Sequence, residues 1–561
     1  MPDFHPQFVS PAQALPLTSA HWAGDHSADW AELVRETTIG SVLRDAASRV
    51  PDAVALVDGD PDPALRRQWT FAGLLADAER AARALLTRFS PGERIAVWSP
   101  NRPEWVVLEF AVALAGLTLV TVNPAYQGEE LAHVLGHSEA DGLFHSGGQQ
   151  VAILAEIRGR LPKLREVLSF ERWAAFTAAG DAGLVAARLL PHVDPSSAAQ
   201  VLYTSGTTGR PKGAVLSHRG LTNNARIAFQ TAGIGAGDVE LNPMPMFHVG
   251  GSALFTLGAV QASATHVLMP RFSPALELEL IEAYRATVLC GVPTMLLALL
   301  SHPDLATRDV SSLRMIFTGG AVSPPALVRR AEAELDVIYT IGYAQTEAGC
   351  VLSMTTAADS AGDREQTLGL PLPGTALRIA NPRTGETAAC GETGEICARG
   401  YFVMNGYLNA PKETAAAIDA GGWLHTGDLG SLDERGYLRI AGRLKEMIIR
   451  GGENIYPREI EEVLVSHPAV ADAAVVGVPD DYYGEVVGAA IRPVDGGASP
   501  DSGASPHHRS LASELDAFCR ARLAAEKVPA RWLITAAFPM TPSGKIRKDE
   551  LRDQLAADAA S

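Results

Sequence analysis

Between residues 94 and 145 the chain alternates short apolar runs with helical patterns, and that alternation leaves few architectures open. Arg94-Ile-Ala-Val-Trp98 has the continuous apolar character of a buried strand, and Ser99-Pro-Asn-Arg-Pro is a turn. Glu104 to Ala115 has a helical pattern, Leu117 to Val122 a strand pattern, Gly128 to Ser138 a helical one, and Gly142-Leu-Phe-His closes on a strand. Strand, helix, strand at this spacing predicts a parallel sheet with helices on its faces. Residues 238–290 and 313–340 repeat the rhythm. The expected fold is α/β, with a large N-terminal region of parallel and mixed sheets flanked by helices.

The texture changes near residue 440. Arg458-Glu-Ile-Glu-Glu-Val-Leu puts Ile460, Val463 and Leu464 on one helical face, with Pro457 suited to a first turn. Strand-like runs follow at 470–478 and 486–493. Asp495 to Ser510, rich in Gly, Ser, Pro and Ala, has the composition of an exposed flexible loop, and a helix is expected from about Leu511 to Glu526. These elements predict a smaller α+β C-terminal domain, consistent with 561 residues being more than one core usually serves.

A net charge of -17 argues against nucleic acid or an anionic membrane surface as a partner, so any phosphate-bearing ligand has to meet a local positive site. The five cysteines, Cys290, Cys350, Cys390, Cys397 and Cys519, form no C-x-x-C pair and favour a reducing compartment. The N-terminus lacks a basic and apolar leader, and the run from Phe110 to Val120 is far below a membrane span. The expectation is a cytoplasmic protein without an integral membrane segment. Oligomeric state leaves no sequence signal, and a homodimer is compatible with everything above.

The most informative stretch is Tyr203-Thr-Ser-Gly-Thr-Thr-Gly-Arg-Pro-Lys-Gly-Ala-Val-Leu-Ser-His218. Its hydroxyls (Thr204, Ser205, Thr207, Thr208) and glycines (Gly206, Gly209, Gly213) can wrap donors around a phosphate, and Lys212 adds a charge. It is not a Walker A loop, and strand-like segments flank it on both sides. By composition alone a surface turn would serve equally well.

The whole string resembles the signature of the adenylate-forming (AMP-binding) superfamily, which holds acyl-CoA synthetases, aryl-CoA ligases, luciferases and peptide-synthetase adenylation domains. The resemblance runs from about residue 38 to 553 and is greatest to fatty-acyl-CoA synthetases. Ser99-Pro-Asn-Arg-Pro-Glu-Trp105, Val122-Asn-Pro-Ala-Tyr126 and Arg450-Gly-Gly-Glu-Asn-Ile-Tyr-Pro-Arg-Glu-Ile460 carry that likeness. It implies an N-terminal extension over 1–37, a large AMP-binding domain over 38–443 and a mobile small domain over 444–561.

The resemblance also implies roles. Ile341-Gly-Tyr-Ala-Gln-Thr-Glu347 would set Gly342 and Tyr343 against adenine, Thr346 on phosphate and Glu347 on Mg2+, a hard cation that suits a carboxylate. The family usually has Gly where this chain has Ala344, whose methyl would narrow the acyl pocket. Gly319, Gly320 and Ala321 would lie beside the nucleotide, with Thr204 to Gly209 and Lys212 around its phosphates and Thr208 taking part in catalysis. Asp428 would accept the ribose hydroxyls and Arg443 would contact ribose or phosphate. His248 and Gly250 would join Ala344 at the acyl site, while Arg271, Gly451 and Gly452 would serve coenzyme A. Lys445 would be the hinge, and Lys545, in Pro539-Met-Thr-Pro-Ser-Gly-Lys-Ile-Arg-Lys548, would bridge carboxylate and α-phosphate.

The implied reaction joins a small-molecule carboxylic acid, ATP and coenzyme A, with a medium- or long-chain fatty acid as the expected acid. An aryl-CoA ligase is the alternative, followed by a stand-alone adenylation enzyme and by a non-catalytic nucleotide binder. Taken singly, each motif has a plainer explanation: Thr346-Glu347 as a helix start, Gly427-Asp428 as a turn, His248 as a core histidine.

Overall fold

The computed structural model describes residues 17, 19–22, 33–204, 211–451, 453–494, 506–540 and 546–557. The first predicted alternation forms the middle of a seven-stranded sheet. Glu166–Ser169, Gly142–His145, Arg94–Trp98, Thr118–Val122 and Ala198–Thr204 run parallel in that spatial order; Lys212–Ser217 and Gly406–Tyr407 then add antiparallel strands. Alternate side chains of its strands face opposite ways. Ile95 and Val97 join one core, whereas Ala96 and Trp98 join another beneath helix Gly128–His137.

Residues 238–290 and 313–340 build a separate sheet of nine strands. Its parallel centre runs Val54–Asp58, Thr265–Leu268, Val239–Asn242, Val288–Gly291, Met315–Gly319 and Ile338–Gln345. Phe317 and Cys290 face the same core as Ile95 and Val97, while Leu289 and Ile316 face helices on the opposite side. The two sheets thus share a layer of helices between them. That layer includes Pro103–Leu114, buried at every residue, and His218–Ala232.

A third sheet was not anticipated from sequence. Thr375–Ala380, Gly394–Gly400, Leu424–Leu432 and Leu438–Arg443 pair antiparallel, with His21–Trp22 at one edge. The fourth sheet is that of the smaller C-terminal domain. It contains Ile448–Arg450, Glu453–Ile455, Val470–Asp480, Gly484–Pro493 and Arg531–Ile534 around its own core. Ile460 and Leu464 are buried there as their spacing predicts.

The following helix differs from expectation. It spans Pro506–Arg520, so the segment expected to be loop contributes its first turn, and a short 3-10 turn, Ala525–Lys527, takes the place of its predicted end. Proline suits a first helical position, where its missing N–H leaves no partner unmet. At the other end the amides of Arg522 and Leu523 both turn back to Cys519 O, which closes the helix early. Residues 495–505 lie outside the described residues. All five cysteines are free. No helix among the described residues is long and apolar enough to cross a membrane.

Candidate active site

Ligands of open parallel sheets gather outside the carboxyl ends of the strands. Here both large sheets send strand ends to one place. Ala198–Thr204 ends on Thr204, Met315–Gly319 on Gly319, and Ile338–Gln345 carries Gly342, Tyr343 and Ala344 into a tight hairpin. Gly319 and Gly342 are direct cross-strand partners, and a Cβ on Gly319 would sit 3.0 Å from Gly342 O. Paired glycines therefore bare a strip of backbone, which continues at Gly320, with φ +75°, and the exposed Ala321.

The hairpin turns through Thr346–Ala348, and Gly349 N–H donates to Thr346 O at 3.0 Å. The turn leaves Glu347 half-buried between the two sheets. Its Oε1 accepts from the Thr204 hydroxyl at 3.3 Å and from Tyr407 OH at 2.8 Å. Lys212 Nζ stands 5.3 Å from the centre of the Tyr407 ring, a cation–π distance. Burial together with the Glu347 carboxylate holds the Tyr407 hydroxyl far above the usual phenol range, so it stays a donor. Among the described residues the contacts of Glu347 fall on Oε1, so Oε2 is the oxygen that would meet a hard divalent cation, and a carboxylate donor fits Mg2+.

A second constellation lies alongside. Tyr343 OH donates to Asp428 Oδ2 at 2.9 Å, and Arg443 Nε stands 3.0 Å from Asp428 Oδ1. Asp428 is directly opposite Arg443 in the antiparallel sheet. Burial raises the Asp428 carboxyl above the ordinary range, and Arg443 and the Tyr343 hydroxyl oppose that rise. Burial and the neighbouring Asp428 likewise raise the Tyr343 phenol. Buried Oδ1 takes no hydrogen bond among the described residues despite the nearby guanidinium, so it is an acceptor awaiting a donor.

The structure thus brings together Thr204, Lys212, Glu347, Tyr343, Asp428 and Arg443, with Thr346 and the glycine strip beside them. No hydrogen bond or ion pair among the described residues joins Arg271, Lys445 or Gly451 to this group; Arg271 and Lys445 are exposed. Gly451 N–H donates to Tyr483 O at 2.8 Å, with φ +59°. His248 is exposed, its ring centroid 4.2 Å from that of Phe247. Gly250 begins a π-helical stretch, Gly250–Thr256, and the half-buried Ala344 sits at a strand irregularity beside Tyr343. Ser205, Gly206, Thr207, Thr208, Gly209, Gly452 and Lys545 lie outside the described residues.

Two contributors escaped the sequence reading. Tyr407 sits in an Asn-Gly-Tyr-Leu-Asn turn with no local signal; only its pairing against Lys212–Ser217 delivers the ring. Asn101, inside a quoted motif but given no role, is buried and binds three backbone groups. Its Nδ2 donates to Met244 O at 2.9 Å and Met269 O at 3.0 Å, and its Oδ1 accepts from Met246 N at 2.8 Å. It therefore fixes the segment leading to His248.

Models of two families match the chain: the AMP-binding enzyme over residues 43–408 and the AMP-binding enzyme C-terminal domain over residues 459–545. The medium-chain acyl-CoA ligase ACSF2, mitochondrial, of Macaca fascicularis is 35% identical over 552 residues, covering 92% of this chain and 87% of that protein. A propanoyl:CoA ligase of Rhodococcus jostii (strain RHA1), whose acyl group carries a methyl-dioxo-octahydroindenyl bicycle, is 35% identical over 539 residues, 92% of this chain and 99% of that protein. Among solved structures, ATP-bound MatB from Rhodopseudomonas palustris superposes with a TM-score of 0.82 at 28% identity, over 93% of this chain and 99% of that one. The chain belongs to the AMP-binding enzyme family, within its acyl-CoA synthetase branch. Its reaction class is that of an AMP-forming acid–CoA ligase.

Proposed function

We propose that the acid is a medium- or long-chain fatty acid, activated as an acyl-adenylate at the Thr204–Glu347–Asp428 site and then transferred to coenzyme A. The observation that carries the nucleotide half is the convergence of two carboxylates with opposite tasks. Glu347 is partly exposed with an oxygen open to a cation, while Asp428 is buried with an oxygen open to a donor. A ribose hydroxyl would fill the second vacancy, with Tyr343 and Arg443 orienting the carboxylate. Tyr343 and the strip Gly319, Gly320, Ala321 and Gly342 would flank adenine.

In the first half-reaction a carboxylate oxygen attacks the α-phosphorus of ATP, a phosphorus–oxygen bond to the leaving pyrophosphate breaks, and a mixed anhydride forms. Two anions must meet, so the site has to supply positive charge. Mg2+ held by Glu347 would supply charge neutralisation at the phosphates. Lys212, the hydroxyls and amides of Thr204 to Gly209, with Thr208 and Thr346 among them, and Lys545 would bind the phosphates and the developing charge. Preorganised donors of this kind contribute on the order of 3–4 kcal/mol each. In the second half-reaction the coenzyme A sulfur attacks the acyl carbonyl and AMP leaves. Arg271, Gly451 and Gly452 would line the coenzyme path after the small domain turns about Lys445.

Support for an alkyl acid comes from the ACSF2 relatives and from the small side chains at Gly250, Gly251, Ser252 and Ala253, which follow His248 and open the π-helical stretch. Ala344 would border the same space. The deciding measurement is acid-dependent AMP release with and without coenzyme A, across straight-chain, aromatic and bicyclic acids. A maximum on straight-chain acids of middle length is expected; a maximum on aromatic acids would transfer the assignment to the aryl-CoA ligases.

A further inference from the structure

Glu395 and His425 take no part in the roles assigned above, yet they grip the backbone that presents Asp428. Glu395 belongs to strand Gly394–Gly400 and His425 to its neighbour Leu424–Leu432. The strands pair at Cys397↔His425 and at Glu395↔Leu429 but lose register between, so the second strand bulges through Thr426, Gly427 and Asp428. Gly427 adopts the left-handed region, φ +69°, and a bulge residue has no regular ladder partner for its amide.

That amide goes to Glu395. Gly427 N–H donates to Glu395 Oε1 at 3.1 Å, and Glu395 Oε2 lies 2.8 Å from His425 Nδ1. A carboxylate only accepts, so Nδ1 carries the hydrogen. The far nitrogen, Nε2, is 3.6 Å from Asp419 Oδ2, and Asp419 is itself tied down by the amides of Gly421 at 2.8 Å and Trp423 at 2.9 Å. Thr426 braces the other side: its hydroxyl donates to Ile396 O at 2.7 Å and accepts from Asp428 N at 3.1 Å. Gln345, beside the hairpin turn, donates to Thr426 O at 2.7 Å.

We infer that Glu395 and His425 are positioning residues, a clasp that holds the Gly427 bulge so that the Asp428 carboxylate faces the ribose; this rests on the ribose role proposed for Asp428. Cys397 Sγ lies 3.6 Å from His425 Nδ1, and Glu395, Cys397 and His425 together have the chemistry of metal ligands. One observation favours the clasp. The 2.8 Å between Glu395 Oε2 and His425 Nδ1 is a hydrogen-bond distance, whereas two ligands of one tetrahedral zinc stand roughly 3.3 Å apart.

The clasp acts on one contact only, so its loss should be selective. Wild type is expected to prefer ATP to the analogue lacking both ribose hydroxyls, by about tenfold or more in kcat/KM. Glu395→Ala should erase most of that preference while the KM values for acid and coenzyme A stay within about twofold. Glu395→Gln, which keeps an oxygen for the Gly427 amide, should retain most of it. Should Glu395→Ala fail to fold, His425→Asn carries the same comparison, with a smaller loss expected. Glu395→Ala (or, in that case, His425→Asn) with the full wild-type preference would overturn the clasp and leave Asp428 on the ribose. A wild type indifferent to the hydroxyls would remove the ribose role and the clasp together. Stoichiometric, Cys397-dependent uptake of Zn2+ by the purified enzyme would overturn the clasp in favour of a metal centre.

Discussion

Glu109 shows how far a single residue's behaviour depends on surroundings that its neighbours in sequence do not reveal. It lies on the wholly buried helix Pro103–Leu114, 1% exposed, with Oε1 accepting from Gln200 Nε2 at 2.7 Å and Oε2 without a partner among the described residues. Burial pushes its carboxyl up to about 8. Below the ordinary value of 4.5 the group is protonated in both folded and unfolded chains, so its contribution is fully present there. As pH rises towards 8 the unfolded chain ionises and the folded one does not, so stability is lost across that window. Glu109→Gln removes the titration. The variant should gain on wild type between about pH 5 and about pH 8, by on the order of 4 kcal/mol at the upper end. Thermal melts across that range check this, and an offset that stays flat with pH would mean Glu109 is already ionised in the fold. Asp428 makes the same point about the site. The sequence singled out the residue, but its burial, its Tyr343 partner and its Oδ1, open among the described residues, exist only in the packed molecule.

At the scale of elements, what was readable were continuous apolar runs and unbroken helical patterns, whether one face of the element is buried or all of it. The helices near 104–115, 128–138 and 458–464 and the strands of the parallel sheets appear close to their expected positions. The antiparallel sheet from Thr375 to Arg443 was not read, because register slips at Glu395/Cys397 and Leu429/Gly430 interrupt its alternation. Nor does periodicity reveal contacts between helices. A Cβ on Gly258, in helix Leu257–Ala262, would sit 2.2 Å from the Phe229 ring of helix His218–Ala232. Gly258→Ala should therefore cost about 1–3 kcal/mol, read as a lower urea midpoint. Gly235→Ala, where an added Cβ would have no described residue within 4 Å, should stay within about 0.5 kcal/mol of wild type. Equal midpoints for the two variants would mean the helices part easily at Gly258.

For the whole molecule, the proposed mechanism asks one site to serve two half-reactions. Lys445 lies in the short turn Leu444–Glu446, between the last strand of the third sheet and the first strand of the fourth. Contacts that cross there include exposed polar ones such as Arg383 to Asn454 at 3.3 Å, which a rotation can exchange for water at little cost. The described residues on either side of Lys545 are joined by the Met540↔Ile546 bridge and by Arg547 N–H donating to Pro539 O at 2.8 Å. On the proposed mechanism Lys545→Ala should lower adenylate formation by two orders of magnitude or more while sparing thioester formation from supplied acyl-adenylate. Lys445→Pro should impair one half-reaction and spare the other. Separate assays of the two half-reactions decide both, and equal losses in the two would defeat the shared-site rotation.

What the amino-acid sequence determined by itself was the α/β alternation, the family and the reaction class. Those depend on local spacing and on motifs that keep their order along the chain. Tertiary structure alone decided that two sheets share one layer of helices, that Tyr407 reaches Glu347, and that Glu395 holds the turn before Asp428. Each of these joins residues distant in sequence through strand register and burial, and no local pattern encodes such a pairing.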